Sequence, residues 1–145
     1  MRRRHNLQGA RFTEKIARQV CPPALAQQLK ALDVPQDSLW YWVPSRSGQH
    51  PLLVPAEDLV EHPLFQTAAV SAFTVGELGE LLPSEIEQNG EFLRLLCLKS
   101  PRTFSVAYVL TPADRQSGIE RKAPTEADAR AQMLLYLIEN KLFTS

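Results

Sequence analysis

Acid–base chemistry needs titratable side chains brought together, and the histidine with carboxylates close by in sequence is His62, with Glu57, Asp58 and Glu61. A histidine beside carboxylates can move a proton if geometry sets them within hydrogen-bond reach of a substrate. The same composition is common on a solvated surface segment, and that is the reading we favour. His5 and His50 stand apart from the group, and no two histidines have the His-x-x-x-His spacing of metal ligands. Nucleophilic chemistry has even less to build on. Gly-x-Ser-x-Gly is absent, and neither Cys21 nor Cys97 lies near a histidine in the sequence. Cys97 sits in Leu95-Leu96-Cys97-Leu98 and reads as a small buried hydrophobe. Without a Cys-x-x-Cys pair no structural zinc site is indicated. The six glycines are scattered, with no Gly-Lys-Ser/Thr to cradle a phosphate. No catalytic residue, metal ligand or cofactor is therefore assigned.

Binding chemistry has better candidates. Trp40, Tyr41 and Trp42 stand together in Ser38-Leu39-Trp40-Tyr41-Trp42-Val43, and such aromatics are enriched at interface hot spots and stack on bases. Aromatics more often supply core area first, so coverage of both strand faces is the simpler expectation. The second candidate is electrostatic. Between Met1 and Val20 lie Arg2, Arg3, Arg4, Arg11, Lys15 and Arg18 against the lone acid Glu14, an arm that can contact a phosphate backbone or an acidic partner. The plainer alternative is a solvated chain end. With 16 basic and 16 acidic residues the chain carries no net charge, which disfavours nucleic-acid binding by the whole.

These residues must be positioned by a chain of 145 residues, 44% hydrophobic and 22% charged, enough for one folded domain. Residues 1–20 read as a basic extension and residues 21–145 as a single domain. The basic start runs into His5-Asn6-Leu7-Gln8 and not into an apolar core, so no signal peptide is expected. No apolar run approaches the roughly 20 residues that cross a bilayer, so we expect a soluble, cytoplasmic protein with no membrane partner.

The last helix is the best specified element. Thr125 is a good N-cap, with Glu126 and Asp128 in the first turn, and Asp128 placed to reach back to the capping backbone. Ala127, Ala131, Leu134, Leu135 and Ile138 recur at helical spacing, widened by Met133 and Leu137, and Asn140-Lys141 is a stop signal. Phe12, Ile16 and Val20 form a weak helical stripe. Cys21-Pro22-Pro23 interrupts it, and a helix from Ala24 to Leu32 then shows Leu25, Leu29 and Leu32 on one face. The aromatic strand and Pro51-Leu52-Leu53-Val54-Pro55 read as a hairpin, whose second strand lies at an edge because proline cannot donate to a ladder. Ala56–Ala72 reads as a short helix followed by a loop. Thr74-Val75-Gly76-Glu77 is a capping box stapled by Phe73 and Leu78, in a helix weakened by Gly76 and Gly79, each by about 1 kcal/mol relative to alanine. Asn89-Gly90 is a turn. It precedes strands at Glu91–Lys99 and Thr103–Leu110, and Ile119–Lys122 reads as a charged edge strand. The class this predicts is α+β: an antiparallel sheet of about four or five strands, the C-terminal helix packed on one face, and two or three shorter helices.

Taken together, Ala24–Leu32, Leu39-Trp40-Tyr41-Trp42, Phe73–Leu78, the two-strand hairpin and Glu126–Leu134 resemble small uncharacterised proteins encoded by prophages and mobile elements of Bacteroidetes-type bacteria. The likeness spans roughly Pro22 to Phe143 and consists of packing and capping signals. It implies a phage-related cytoplasmic context and carries over no activity and no site residue. The expected function is a non-enzymatic accessory or protein-interaction module, with an unknown protein partner or a second copy of itself. It would use Trp40, Trp42 or the strand edge at Pro51–Pro55. Nucleic-acid contact through the basic arm is the alternative, and a small-molecule enzyme around His62 is a weaker one.

Overall fold

Two prolines start the first long helix. Pro22 is the N-cap and Pro23 the first helical residue of α1 (Pro23–Ala31), where a missing N–H costs nothing. The structure, a computed structural model, describes residues 14–45, 50–60, 67–111, 113 and 118–143. Arg2, Arg3, Arg4, Arg11 and Phe12 lie outside them, as do Glu61 and His62. The chain divides into two compact units, Met1–Thr74 and Val75–Ser145, and its class is α+β.

In the first unit residues 14–17 are helical, and Val20, 1% exposed, forms an antiparallel bridge with Thr74. Helix α1 ends at Leu32 with Asp33 left-handed at φ 64°. The Asp33 N–H reaches Lys30 O and the Val34 N–H reaches Leu29 O, at 3.0 and 3.1 Å, a Schellman closure. Its buried residues are Ala26 and Leu29, while Leu25 is half-buried and Leu32 is exposed. The inward face is thus turned from the Leu25-Leu29-Leu32 stripe expected. Leu32 is spent on the cap, and small Ala26 lets the helix lie against a neighbouring strand, β3 (Val70–Ser71). The three-stranded antiparallel sheet runs β2 (Leu52–Pro55), β1 (Trp40–Val43), β3, so the aromatic strand is central and the proline strand is an edge as expected. A short helix α2 (Ala56–Val60) follows β2 directly. The strand β3 falls where a loop was expected, because two residues are too few to show a period.

The second unit opens with α3 (Val75–Leu81) and continues as a four-stranded antiparallel meander, β4 (Glu85–Gln88), β5 (Glu91–Lys99), β6 (Phe104–Val109) and β7 (Ile119–Ala123). Asn89 and Gly90 have φ of 55° and 81° between the paired Gln88 and Glu91. That is a two-residue hairpin turn of the kind Asn-Gly favours. Register sets Ile86, Leu93, Val106, Tyr108 and Ala123 on one face, all buried. Helix α4 (Glu126–Glu139) packs on β6, β7 and α3. The aromatic strand Trp40–Val43 belongs to the three-stranded sheet of the first unit and not to this one.

Helix α4 starts as predicted, with Thr125 Oγ1 accepting the Asp128 N–H at 3.2 Å. The Asp128 carboxylate accepts from Gln132 Nε2, one turn on, at 2.8 Å. The helix buries Ala127, Ala129, Ala131, Met133, Leu134 and Leu137, and leaves Leu135 and Ile138 half-buried. Ala129 was not in the predicted stripe. It is buried because the helix meets both a sheet and α3, which widens the covered arc. Lys141 closes the helix at φ 53°, with the Leu142 N–H on Leu137 O at 2.9 Å.

Side chains also secure backbone carbonyls in this unit. Tyr108, fully buried, donates to Pro83 O at 2.6 Å. Arg130 pairs with Glu126 at 2.9 Å and donates to Val75 O at 3.2 Å. A Cβ on Gly79 would collide with the Arg130 guanidinium, which accounts for a glycine inside α3. At Gly118 a Cβ would meet the Tyr108 carbonyl, and backbone yields less easily than a side chain. Gly118→Ala should therefore lower unfolding stability by roughly 1–3 kcal/mol. Denaturant titration checks this, and a midpoint unchanged from wild type would contradict it.

Candidate functional site

The central strand β1 exposes none of its aromatics fully: Trp40, Tyr41 and Trp42 are all half-buried. Each is tied down differently. Tyr41 Oη donates to Gln36 O at 3.1 Å and accepts the Ser38 N–H at 3.3 Å, closing the loop that enters the strand. Ser38 Oγ donates to Trp40 O at 2.7 Å. Trp42 Nε1–H donates to Cys21 O at 2.7 Å, across 21 residues of sequence. Cys21 in turn donates its N–H to Phe73 O at 2.8 Å. Both Cys21 and Phe73 are buried, so the indole supplies a donor to a carbonyl that water does not reach.

Beside Trp42 lies a groove of about 210 Å³ walled by Pro23 and Gln27 of α1, by Trp42 and Pro44, and by His50 and Pro51. The volume is below the roughly 300–1,000 Å³ of pockets that enclose a drug-sized ligand. It suits a single apolar side chain. Because Trp42 Nε1 is engaged, the indole offers its ring to the groove and not its N–H. Trp40 lies opposite Pro55 and does not line the groove. Pro23, Gln27 and His50 were not predicted here. The only local signal was the pair Pro44 and Pro51 bracketing the hairpin loop.

The edge at Pro51–Pro55, the other candidate surface, offers few donors for strand addition. Ala56 N–H donates to Leu39 O at 2.9 Å, so residues 52, 54 and 56 face β1, while 51, 53 and 55 face outward. Two of those three are prolines, and Leu53 is left with the one outward donor. The opposite edge is closed by side chains. The Ser71 N–H donates to Gln36 Oε1 at 2.7 Å, and Lys30 Nζ donates to Ala69 O at 3.0 Å. Gln36 Nε2 is itself held on Val34 O at 3.0 Å.

The remaining sequence candidates do not assemble. Glu57 and Asp58 are exposed on α2, and their expected partners Glu61 and His62 fall outside the described residues. Lys15 and Arg18 are exposed, and the rest of the basic arm is likewise outside. Among the described residues no group of three or more His, Cys, Asp or Glu could hold a metal ion, and no helix is long and apolar enough to cross a membrane.

Cys97 is exposed, contrary to the buried role read from its apolar neighbours. It points from β5 at a cavity of about 260 Å³ shared with Lys99, Phe104 and Glu126. Partial burial pushes its thiol pKa up, Arg130 opposes this, and Glu126 adds to it. At neutral pH the thiol stays protonated and is a poor nucleophile. No family model, curated protein or solved structure matches the chain.

Two outcomes are expected. Gln36→Ala should cost about 1–3 kcal/mol, since it strands the N–H of the fully buried Ser71, whereas Gln36→Glu should retain that acceptor. Unfolding titrations of both variants test the difference. Iodoacetamide should label Cys97 and spare buried Cys21 in the native protein. With its pKa raised, Cys97 should react more slowly than a free thiol at pH 8, and the gap should close as pH rises. A rate equal to that of the free thiol would refute the shift.

Proposed function

We propose that the chain is a non-enzymatic binding module that takes an apolar side chain of another protein into the groove beside Trp42. What supports this is the state of the indole. Its N–H is committed to Cys21 O at 2.7 Å, so the ring is fixed as a wall before any partner arrives. A surface that needs no ordering loses less entropy on binding. Pro23, Pro44 and Pro51 add three further walls of restricted conformation, and Gln27 and His50 supply polar groups at the rim. The size of the groove favours a side chain over a whole metabolite. The blunted edges of the sheet favour face recognition over strand addition.

The test is a displayed random-peptide selection on the wild-type protein, followed by affinity measurement on variants. Gln27 is exposed on α1, and Gln27→Trp fills the groove without touching the Trp42 bond. Selected peptides should lose about tenfold or more in affinity, corresponding to at least 1.4 kcal/mol. Peptides indifferent to Gln27→Trp would overturn the assignment. If the partner is a second copy, light scattering should give a mass above 16.3 kDa that Gln27→Trp returns to the monomer value.

A further inference from the structure

The turn between β4 and β5 carries reactive chemistry of its own. Asn89 is followed by Gly90, both are exposed, and both adopt positive φ, at 55° and 81°. Nothing lies within 4 Å of where a Gly90 Cβ would stand, so the turn is open on that side. Among the described residues no hydrogen bond holds the Asn89 side-chain amide. We propose that Asn89-Gly90 is a site of spontaneous covalent modification, where the hairpin loses an amide and gains an aspartyl or isoaspartyl residue.

The steps balance without an oxidant or a cofactor. Hydroxide removes the proton of the Gly90 backbone nitrogen, and that nitrogen attacks Asn89 Cγ. The N–Cγ bond forms, the Cγ–Nδ2 bond breaks, and Nδ2 leaves as ammonia after taking a proton from water. Water then opens the five-membered succinimide. Cleavage at Cγ gives aspartate, and cleavage at the backbone carbon gives isoaspartate, with the chain rerouted through Cβ and Cγ. A side chain at the following residue would obstruct the attack, and glycine has none.

Consequences follow from the register. The two-residue loop fixes Gln88 opposite Glu91 and Ile86 opposite Leu93. Isoaspartate lengthens the backbone by one methylene, which a two-residue turn cannot absorb without slipping the pair. Either product also adds negative charge between Glu87 and Glu91, just past the end of an edge strand of only four residues. The buried Ile86 is what β4 would withdraw from the core.

Asn140 is an internal control, since its Nδ2 donates to Tyr136 O at 2.8 Å and Lys141 follows it. The experiment incubates the folded protein at mildly alkaline pH and maps peptides by mass. Isoaspartyl content is read with a repair methyltransferase and labelled methyl donor. The Asn89 peptide should gain the mass of an NH2-to-OH exchange and accept methyl groups, the Asn140 peptide should do neither, and Asn89→Gln should reduce both signals to background. The isoaspartyl form, separated by ion exchange, should show faster amide exchange in β4. A folded protein whose Asn89 peptide stays unmodified while the urea-unfolded chain converts would overturn the proposal. So would equal conversion at Asn140.

Discussion

A buried carbonyl must find a donor, and in the first unit the Cys21 carbonyl finds it in the indole of Trp42. Much else in that unit follows from this bond. Cys21 leads directly into the two prolines that start α1, so fixing its carbonyl fixes where the helix begins. The same residue donates to Phe73 O, and its neighbour Val20 bridges Thr74, so the segment before α1 is stitched to the segment after β3. Trp42 sits on the central strand, which lets one side chain connect the sheet to this stitched pair. The indole plane is thereby set, and with it one wall of the groove.

A common device recurs in both units, the use of long polar side chains to satisfy backbone groups that secondary structure leaves over. Gln36 and Lys30 close one sheet edge, Tyr41 and Ser38 close the entry to β1, and Tyr108 and Arg130 secure Pro83 O and Val75 O. Small units need this, because short strands and short helices have a high proportion of ends. Arg130 shows the compromise involved. Its guanidinium makes a backbone bond and an ion pair, yet its Nε is buried without a partner, and the missing side chain of Gly79 leaves it room. A buried orphan donor costs free energy, so the two bonds it accompanies must together outweigh that loss.

Which parts were legible in the sequence follows from how local their physics is. The cap at Thr125, the turn at Asn89-Gly90 and the proline edge read at Pro51–Pro55 are decided by neighbouring residues, and each appears, the edge strand one residue shorter at Leu52–Pro55. Glu85–Gln88 escaped because glutamate and glutamine are poor strand formers; it pairs since the hairpin turn delivers it to β5. Cys97 was misread because its place on the sheet does not decide its exposure: it pairs with buried Val106, on the same face as Leu93, yet is itself exposed, and no local pattern in the sequence shows that. The groove was invisible for a related reason. Trp42 could be singled out as an aromatic, but its partners Pro23, Gln27 and His50 come from a helix and a loop, with no spacing to connect them.

The fate of the polar groups also bears on the kind of function this surface can support. Around β1 the side chains with hydrogen-bonding capacity are largely consumed by backbone: Trp42, Tyr41, Ser38, Gln36 and Lys30 each hold a main-chain atom. A catalytic group must instead be free to exchange protons or bonds with a substrate, held by supports that leave its reactive atom available. Recognition makes a different demand, for a rigid apolar surface whose polar atoms are already satisfied and need not be stripped of water. The Trp42 wall meets that second demand. The bond that hides its one polar atom is also the bond that holds its ring in place, so on the reading proposed above structural support and readiness to bind arise from a single contact.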